Sequence, residues 1–316
     1  MATPPVPPPS GPPAGPVPAA DRHGHGHENL RGILWILFSV VMASAMSLSV
    51  RALAGEMDSR MIVLFRAAVL AVLVGMPLIP NTPLRRQMGL SRPWLHLIRG
   101  AMIGFATHFG FYTLASIPIA TASVLFFTAP IFATILAGIF QGERVGPRRV
   151  AAVAAGFLGA VIILRPGFGV FHPAMLAGLA SSACFAVALT MSRGLVKADG
   201  WLAAYFSSVV VTVIVSLPLA WPVLGLPTSG FGWAVAAVLV VTAFGRGVAD
   251  LLAYRYAEAA VLAPITYLRL VLLGVAGYVF WGEVPDGPTL AGAAVIVAAT
   301  LYIARREAQL ARAAKT

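Results

Sequence analysis

The chain has 316 residues, of which 59% are hydrophobic and only 10% charged, and its mean hydropathy is +0.87. A soluble domain carries about a quarter charged residues, so a globule surrounded by water is excluded. The formal charge of +11 points to nucleic acid only if the basic residues are read without their positions.

Residues 1–30 hold a proline-rich tract, Pro4 to Pro18, followed by His23, His25 and His27 alternating with glycine. Proline at this density precludes a helix, so a disordered, solvated cytoplasmic tail is expected rather than a transition-metal site. Ten mostly apolar runs follow, each near the length that crosses a bilayer. They cover residues 32–50, 61–80, 94–115, 120–140, 150–164, 173–192, 201–222, 231–253, 259–281 and 289–304. An all-α membrane protein with ten transmembrane helices is expected.

The first run carries Ser39, Ser44, Ser47 and Ser49, a density of small polar residues that suits close helix contact or a polar cavity wall. The second contains Arg66. In the third, Arg99 lies near an end where snorkelling explains it, while His108 and Tyr112 are four apart and share a face. The fifth places Ala151, Ala155 and Gly159 on one stripe, and the tenth offers Ala294 and Ala298 in the same way. The lone cysteine, Cys184, excludes an intramolecular disulfide. In the eighth run Arg246, Asp250 and Tyr254 are spaced by four and stack on one face. The ninth carries Pro264, Tyr267 and Arg269.

The chain repeats itself. Glu143 recurs as Glu283, 140 residues on, and Gly146-Pro147 recurs as Gly287-Pro288. Ser49-Val50-Arg51-Ala52-Leu53 matches Met191-Ser192-Arg193-Gly194-Leu195, and Pro77 matches Pro218. Residues 31–167 and 172–306 are thus two copies of one unit, followed by a basic cytoplasmic tail, 307–316. Five spans per copy, an odd number, make the second copy enter the membrane from the opposite side.

Charge placement gives the sidedness. Loops on one side hold 15 Lys and Arg, whereas the opposite loops hold only Arg51, Arg60 and Arg165. That asymmetry places both termini in the cytoplasm. It also accounts for the basic charge without nucleic acid.

Ala129-Pro130, Gly142-Glu143, Gly156, Gly159 and Arg165-Pro166-Gly167 together resemble the EamA domain of the drug/metabolite transporter superfamily. Tyr256-Ala257-Glu258-Ala259 through Pro264, Tyr267, Arg269 and Gly282-Glu283 is similar to its C-terminal repeat. The resemblance covers about residues 32–306. It implies two inverted five-helix repeats, alternating access, and transport of small metabolites, often outward. The second copy has Leu270 in place of Pro130 and Pro264 earlier, so the two halves are expected to bend their helices at different depths.

Charges at membrane depth are costly and tend to face a polar interior. Arg246, Arg269 and Arg66 are therefore candidate cavity residues for an anionic group, which arginine's planar fork binds bidentately. Asp250 either pairs structurally with Arg246 or reads charge itself. His108, Tyr112, Tyr254 and Tyr267 are candidate hydrogen-bonding residues of the same cavity, with plain helix contacts as the competing reading. Glu143 and Glu283 read as caps.

No nucleotide-binding loop, metal-ligand cluster or nucleophile motif is present, so neither an enzyme nor a cofactor is expected. The leading expectation is a secondary transporter, an exporter or exchanger, of a small anionic or zwitterionic metabolite. Protons are a candidate coupling ion, and a monomer or homodimer the expected assembly. The alternative is a broad exporter of amphipathic or cationic compounds using Asp250. A non-transporting scaffold ranks last.

Overall fold

The computed structural model describes residues 21–78, 80, 83, 85, 88–141, 147–165, 171–257 and 259–313. Among the described residues there are eleven α-helices, two short 3-10 turns and no strand. The helices are α1 (Asp21–Leu53), α2 (Ser59–Gly75), α3 (Pro93–Ser116), α4 (Ile119–Phe126), α5 (Ala129–Gln141) and α6 (Pro147–Leu164). They continue with α7 (Pro173–Ala220), α8 (Gly230–Tyr256), α9 (Ala259–Thr266), α10 (Leu268–Trp281) and α11 (Gly287–Ala313). The Gly142-Glu143 and Arg165-Pro166 ends of the first copy's hairpin fall partly outside the described residues, as does Glu258.

Among the described residues, seven segments are long and apolar enough to cross a membrane, and Val150–Leu164 is a shorter apolar helix. Two expected spans fall short of that description. α2 has 17 residues, and α3 is diluted by His96, Arg99 and His108. At the other extreme, α1 starts at Asp21, inside the stretch expected to be a tail. No proline interrupts the chain between Asp21 and Leu53, so a helix nucleated on the apolar run extends backward.

α7 is continuous by hydrogen bonding but holds Gly200 at φ 85, ψ 164, a conformation open to glycine and costly for other residues. The bend falls inside the apolar segment Gly194–Val223, beyond the segment Pro173–Ser192. Two further helices are broken within the bundle, between α4 and α5 at Phe127-Thr128 and between α9 and α10 at Tyr267. Pro130 lacks the N–H that would have bonded the carbonyl of Phe126, which explains the first break. The expectation of bends at different depths is corrected here. Phe127 and Tyr267 occupy equivalent positions, 140 residues apart, because the break falls ahead of Pro130 and after Pro264.

α3 packs along α7, α1 along α8, and α6 along α11, while α2 and α5 also lie against α7. α4 packs on α10, and α9 and α10 reach α1. Ile62, Leu125, Ile131, Leu239, Leu273 and Ile296 are fully buried between them.

The α6–α11 crossing is close because glycines meet there. A Cβ on Gly292 would lie 2.6 Å from the carbonyl oxygen of Gly159 and 2.5 Å from Ile163. Gly159 packs as expected, whereas the other buried positions differ from the expected ones. Ala152, Gly156 and Gly159 face inward on α6, and Gly292, Ile296 and Ala299 on α11, leaving Ala151, Ala294 and Ala298 exposed.

Candidate functional site

A cavity of about 340 Å³ lies between the helices. One wall is cationic: α2 contributes Arg66, α8 Arg246 and Asp250, and α10 Arg269. The facing wall comes from α3 and α7 and carries Arg99, Thr107, Phe111, Ser181, Ser182, Tyr205 and Ser208. Asp250 is the only acidic side chain that lines it among the described residues.

α1 braces the cationic wall from behind. Ser39 donates its hydroxyl to Asp250 Oδ1. Two turns along, Arg269 Nη2 donates to Ser47 Oγ at 2.8 Å. Arg246 Nε lies 3.5 Å from Asp250 Oδ2, the spacing the i, i+4 relation produces. The Arg66 guanidinium sits 5.1 Å from the centre of the Phe111 ring and 4.0 Å from Met46 Sδ. Neither Arg66 nor Arg269 pairs with a carboxylate among the described residues, and the Nε of each is buried without a hydrogen-bond partner. Arginines that line a hollow without a carboxylate partner suit an anionic ligand, which would balance their charge.

One end of the bundle is tied together by ion pairs. Arg51 Nη2 donates to Glu283 Oε1 at 2.8 Å and Arg51 Nη1 to the carbonyl of Ala115 at 2.6 Å. Glu283 Oε2 accepts from the N–H of Ile119 at 2.7 Å, capping α4. Arg165 and Asp286 pair nearby. Glu56 accepts from the Ser229 hydroxyl at 2.6 Å and from two backbone N–H groups, which holds its carboxyl below the ordinary 4.5. Hydrogen bonds from Thr289, and then Arg165, likewise hold Asp286 below the usual carboxylate range.

At the opposite end His96 bridges Asp199, at 2.9 Å, and Ser207, at 2.8 Å. A second hollow of about 350 Å³ beside this bridge is apolar except for His96 and Ser207, and those two bond each other.

The expected site residues divide. Arg246, Arg269, Asp250 and Arg66 come together around the cavity. His108 is buried in the α3–α7 seam, where its Nε2 meets Ser216 Oγ at 2.8 Å. Tyr112 does not share that setting: four residues are 40° more than a full turn, and its side chain is 40% exposed on the outer face. Tyr267 stacks on Phe127, away from the cavity lining. The Tyr254 side chain lies outside the described residues.

Arg99 was not expected in the cavity. It donates to Ser192 Oγ at 2.7 Å, to the carbonyl of Ala204 at 2.8 Å and to Ser208 Oγ at 2.5 Å, and it lines the hollow. Its three partners around the bend of α7 are visible only in three dimensions.

The EamA-like transporter family model matches residues 30–165. The S-adenosylmethionine uptake transporter of Rickettsia felis is 32% identical over 283 residues, covering 87% of this chain and 92% of that protein. This protein belongs to the EamA-like transporter family. Other EamA relatives include the pseudopaline exporter CntI of Pseudomonas aeruginosa, 30% identical over 281 residues, covering 87% of this chain and 96% of that protein. The riboflavin transporter of Rhizobium johnstonii is 33% identical over 241 residues, covering 72% of this chain and 77% of that one. A solved crystal structure shares the fold, with a TM-score of 0.53 at 20% identity, covering 88% of this chain and 95% of the other. The protein is thus a multi-pass helical membrane protein of a bacterial metabolite-transporter family, and these relatives are transporters, not enzymes.

Proposed function

We propose that this EamA protein is a secondary transporter that carries a small metabolite bearing an anionic group, by alternating access, across the bacterial inner membrane. The observation that carries the reading is the cavity in which Arg66, Arg246 and Arg269 face a single acidic residue, Asp250.

Ten crossings follow when α2, α3 and α6 are added to the seven apolar segments. Several features support an inverted repeat. Exchanging the halves turns the α1–α8 pairing into the pairing of α7's first segment with α3, while α6–α11 maps onto itself. The burial pattern along 151–160 recurs residue for residue along 291–300. Broken helices meeting at an internal two-fold axis are the arrangement in which transporters place a midplane site. The lysine and arginine asymmetry supports cytoplasmic termini, with the Arg51–Glu283 end facing outward and the cavity reached from the cytoplasm.

A second reading, export of amphipathic or cationic compounds, is favoured by Asp250 lining the cavity with 37% of its side chain exposed. The relatives named above include both an uptake transporter and an exporter, so exchange in either direction is the form of transport to assay. A thermal-shift screen of the purified protein against amino acids, organic acids, S-adenosylmethionine and riboflavin tests the proposal, because a bound ligand raises stability by mass action. Stabilisation by anionic compounds, abolished in Arg246→Ala, supports it. Stabilisation confined to cations and abolished in Asp250→Asn favours the second reading.

A further inference from the structure

The charges around the cavity are ordered along its length. α1 supplies the ruler, since Ser39 holds Asp250 and Ser47 holds Arg269. Eight residues of helix separate the two hydroxyls by about 12 Å. Met46, beside Ser47, touches Arg66. The negative group thus sits at one level of the cavity, and the guanidinium groups of Arg66 and Arg269, without a carboxylate partner among the described residues, about two turns away. Arg246 lies between them.

Asp250 also retains accepting capacity. One oxygen takes the Ser39 hydroxyl, and the other faces Arg246 at 3.5 Å, longer than a strong charge-assisted hydrogen bond. At the far level Arg66 and Arg269 line the cavity with no carboxylate partner among the described residues. A ligand with an anionic group alone would satisfy one level and leave the Asp250 level unused.

We infer that the cavity selects an elongated dipolar ligand, with its anionic end between Arg66 and Arg269 and its cationic end at Asp250. Asp250 is then a specificity-determining residue, not only a partner for Arg246. The inference rests on the anion-binding reading above and adds a second charge of opposite sign at a fixed distance. A simple α-amino acid, whose two charges are adjacent, spans only one level.

Isothermal titration on the purified protein tests this with a graded series: glycine, γ-aminobutyrate, ε-aminocaproate and ω-aminooctanoate, against octanoate and octylamine. The expected result is affinity rising along the ω-amino acids, with ω-aminooctanoate binding about tenfold tighter than octanoate, the size of one charge-assisted hydrogen bond. In Asp250→Asn the ratio of ω-aminooctanoate to octanoate affinity should fall to about one, and in Arg269→Ala both carboxylates should weaken. Equal binding of octanoate and ω-aminooctanoate by the unaltered protein overturns the dipolar inference but leaves the anion reading standing. Binding of octylamine alone overturns both, as does binding of no carboxylate at all. Should Asp250→Asn fail to fold, the series on the unaltered protein decides alone.

Discussion

Phe127 and Tyr267, 140 residues apart, stack with ring centroids 4.8 Å apart and planes 24° from parallel. Each stands at the break of its own discontinuous helix, so the contact joins the equivalent points of the two copies. Aromatic stacking adds about 0.5–1.5 kcal/mol beyond burial of the rings. Tyr267→Phe keeps the ring and should cost only the hydrogen bond to Thr300, about 1 kcal/mol, and Phe127→Ala and Tyr267→Ala should each lower the melting temperature further. The double variant should fall short of the sum by about that amount, as coupled neighbours do. Strict additivity would separate the two breaks energetically.

Arg269 offers a cleaner separation of function from stability. It is half-buried, with its Nε enclosed and no carboxylate partner among the described residues, so its desolvation is compensated mainly by Ser47. Replacing a buried charge with an apolar group of similar length is often neutral or stabilising, by about 1–4 kcal/mol. Arg269→Met should melt at an equal or higher temperature yet lose transport about tenfold or more. A large fall in melting temperature would make the arginine a structural brace.

Much of this was legible in the sequence, and the failures have physical causes. The apolar runs, the 140-residue offset and the three deep arginines need only composition and spacing. Gly159 was rightly placed at the α6–α11 crossing, but Ala151, Ala294 and Ala298 face outward, because alanine and glycine abound on every face there and spacing alone does not select one. Ser181, Ser182 and Ser208 were invisible for a related reason. A serine in an apolar helix bonds a backbone carbonyl whether or not it also lines a hollow, as Ser208 does to Ala204 at 2.7 Å. Arg99 near a helix end carried the signature of snorkelling, and only the bend at Gly200 brings its partners around it.

Glu283 accepts from both Arg51 and the backbone of Ile119, so its two plausible replacements should differ. Glu283→Gln keeps an acceptor for Ile119 and loses the ion pair. Glu283→Ala leaves a buried N–H unpaired, at a cost of about 1–3 kcal/mol. Thermal melting should rank the unaltered protein above Gln and Gln above Ala. Identical Gln and Ala variants would remove the cap from the account.

Glu56 ties the loop after α1 to the start of α8 and predicts an acid-dependent weakening. Its carboxyl titrates lower in the folded protein than its ordinary 4.5, because Ser229 and Thr228 donate to the ionised form. A depressed folded value contributes stability above the ordinary value that is lost as pH falls through the folded one. Melting temperature measured from neutral pH down to about pH 3 should fall more steeply for the unaltered protein than for Glu56→Gln below about pH 4.5. Parallel curves would contradict the assignment.

The central claim is that the arginines around the cavity bind the transported anion. Counterflow in reconstituted vesicles measures this most directly: load the vesicles with an unlabelled anionic or zwitterionic metabolite and follow entry of its labelled form. The account predicts exchange for at least one such compound and its loss in Arg246→Ala and Arg269→Ala, with folded protein confirmed by melting. Undiminished exchange of that compound in both variants would contradict it.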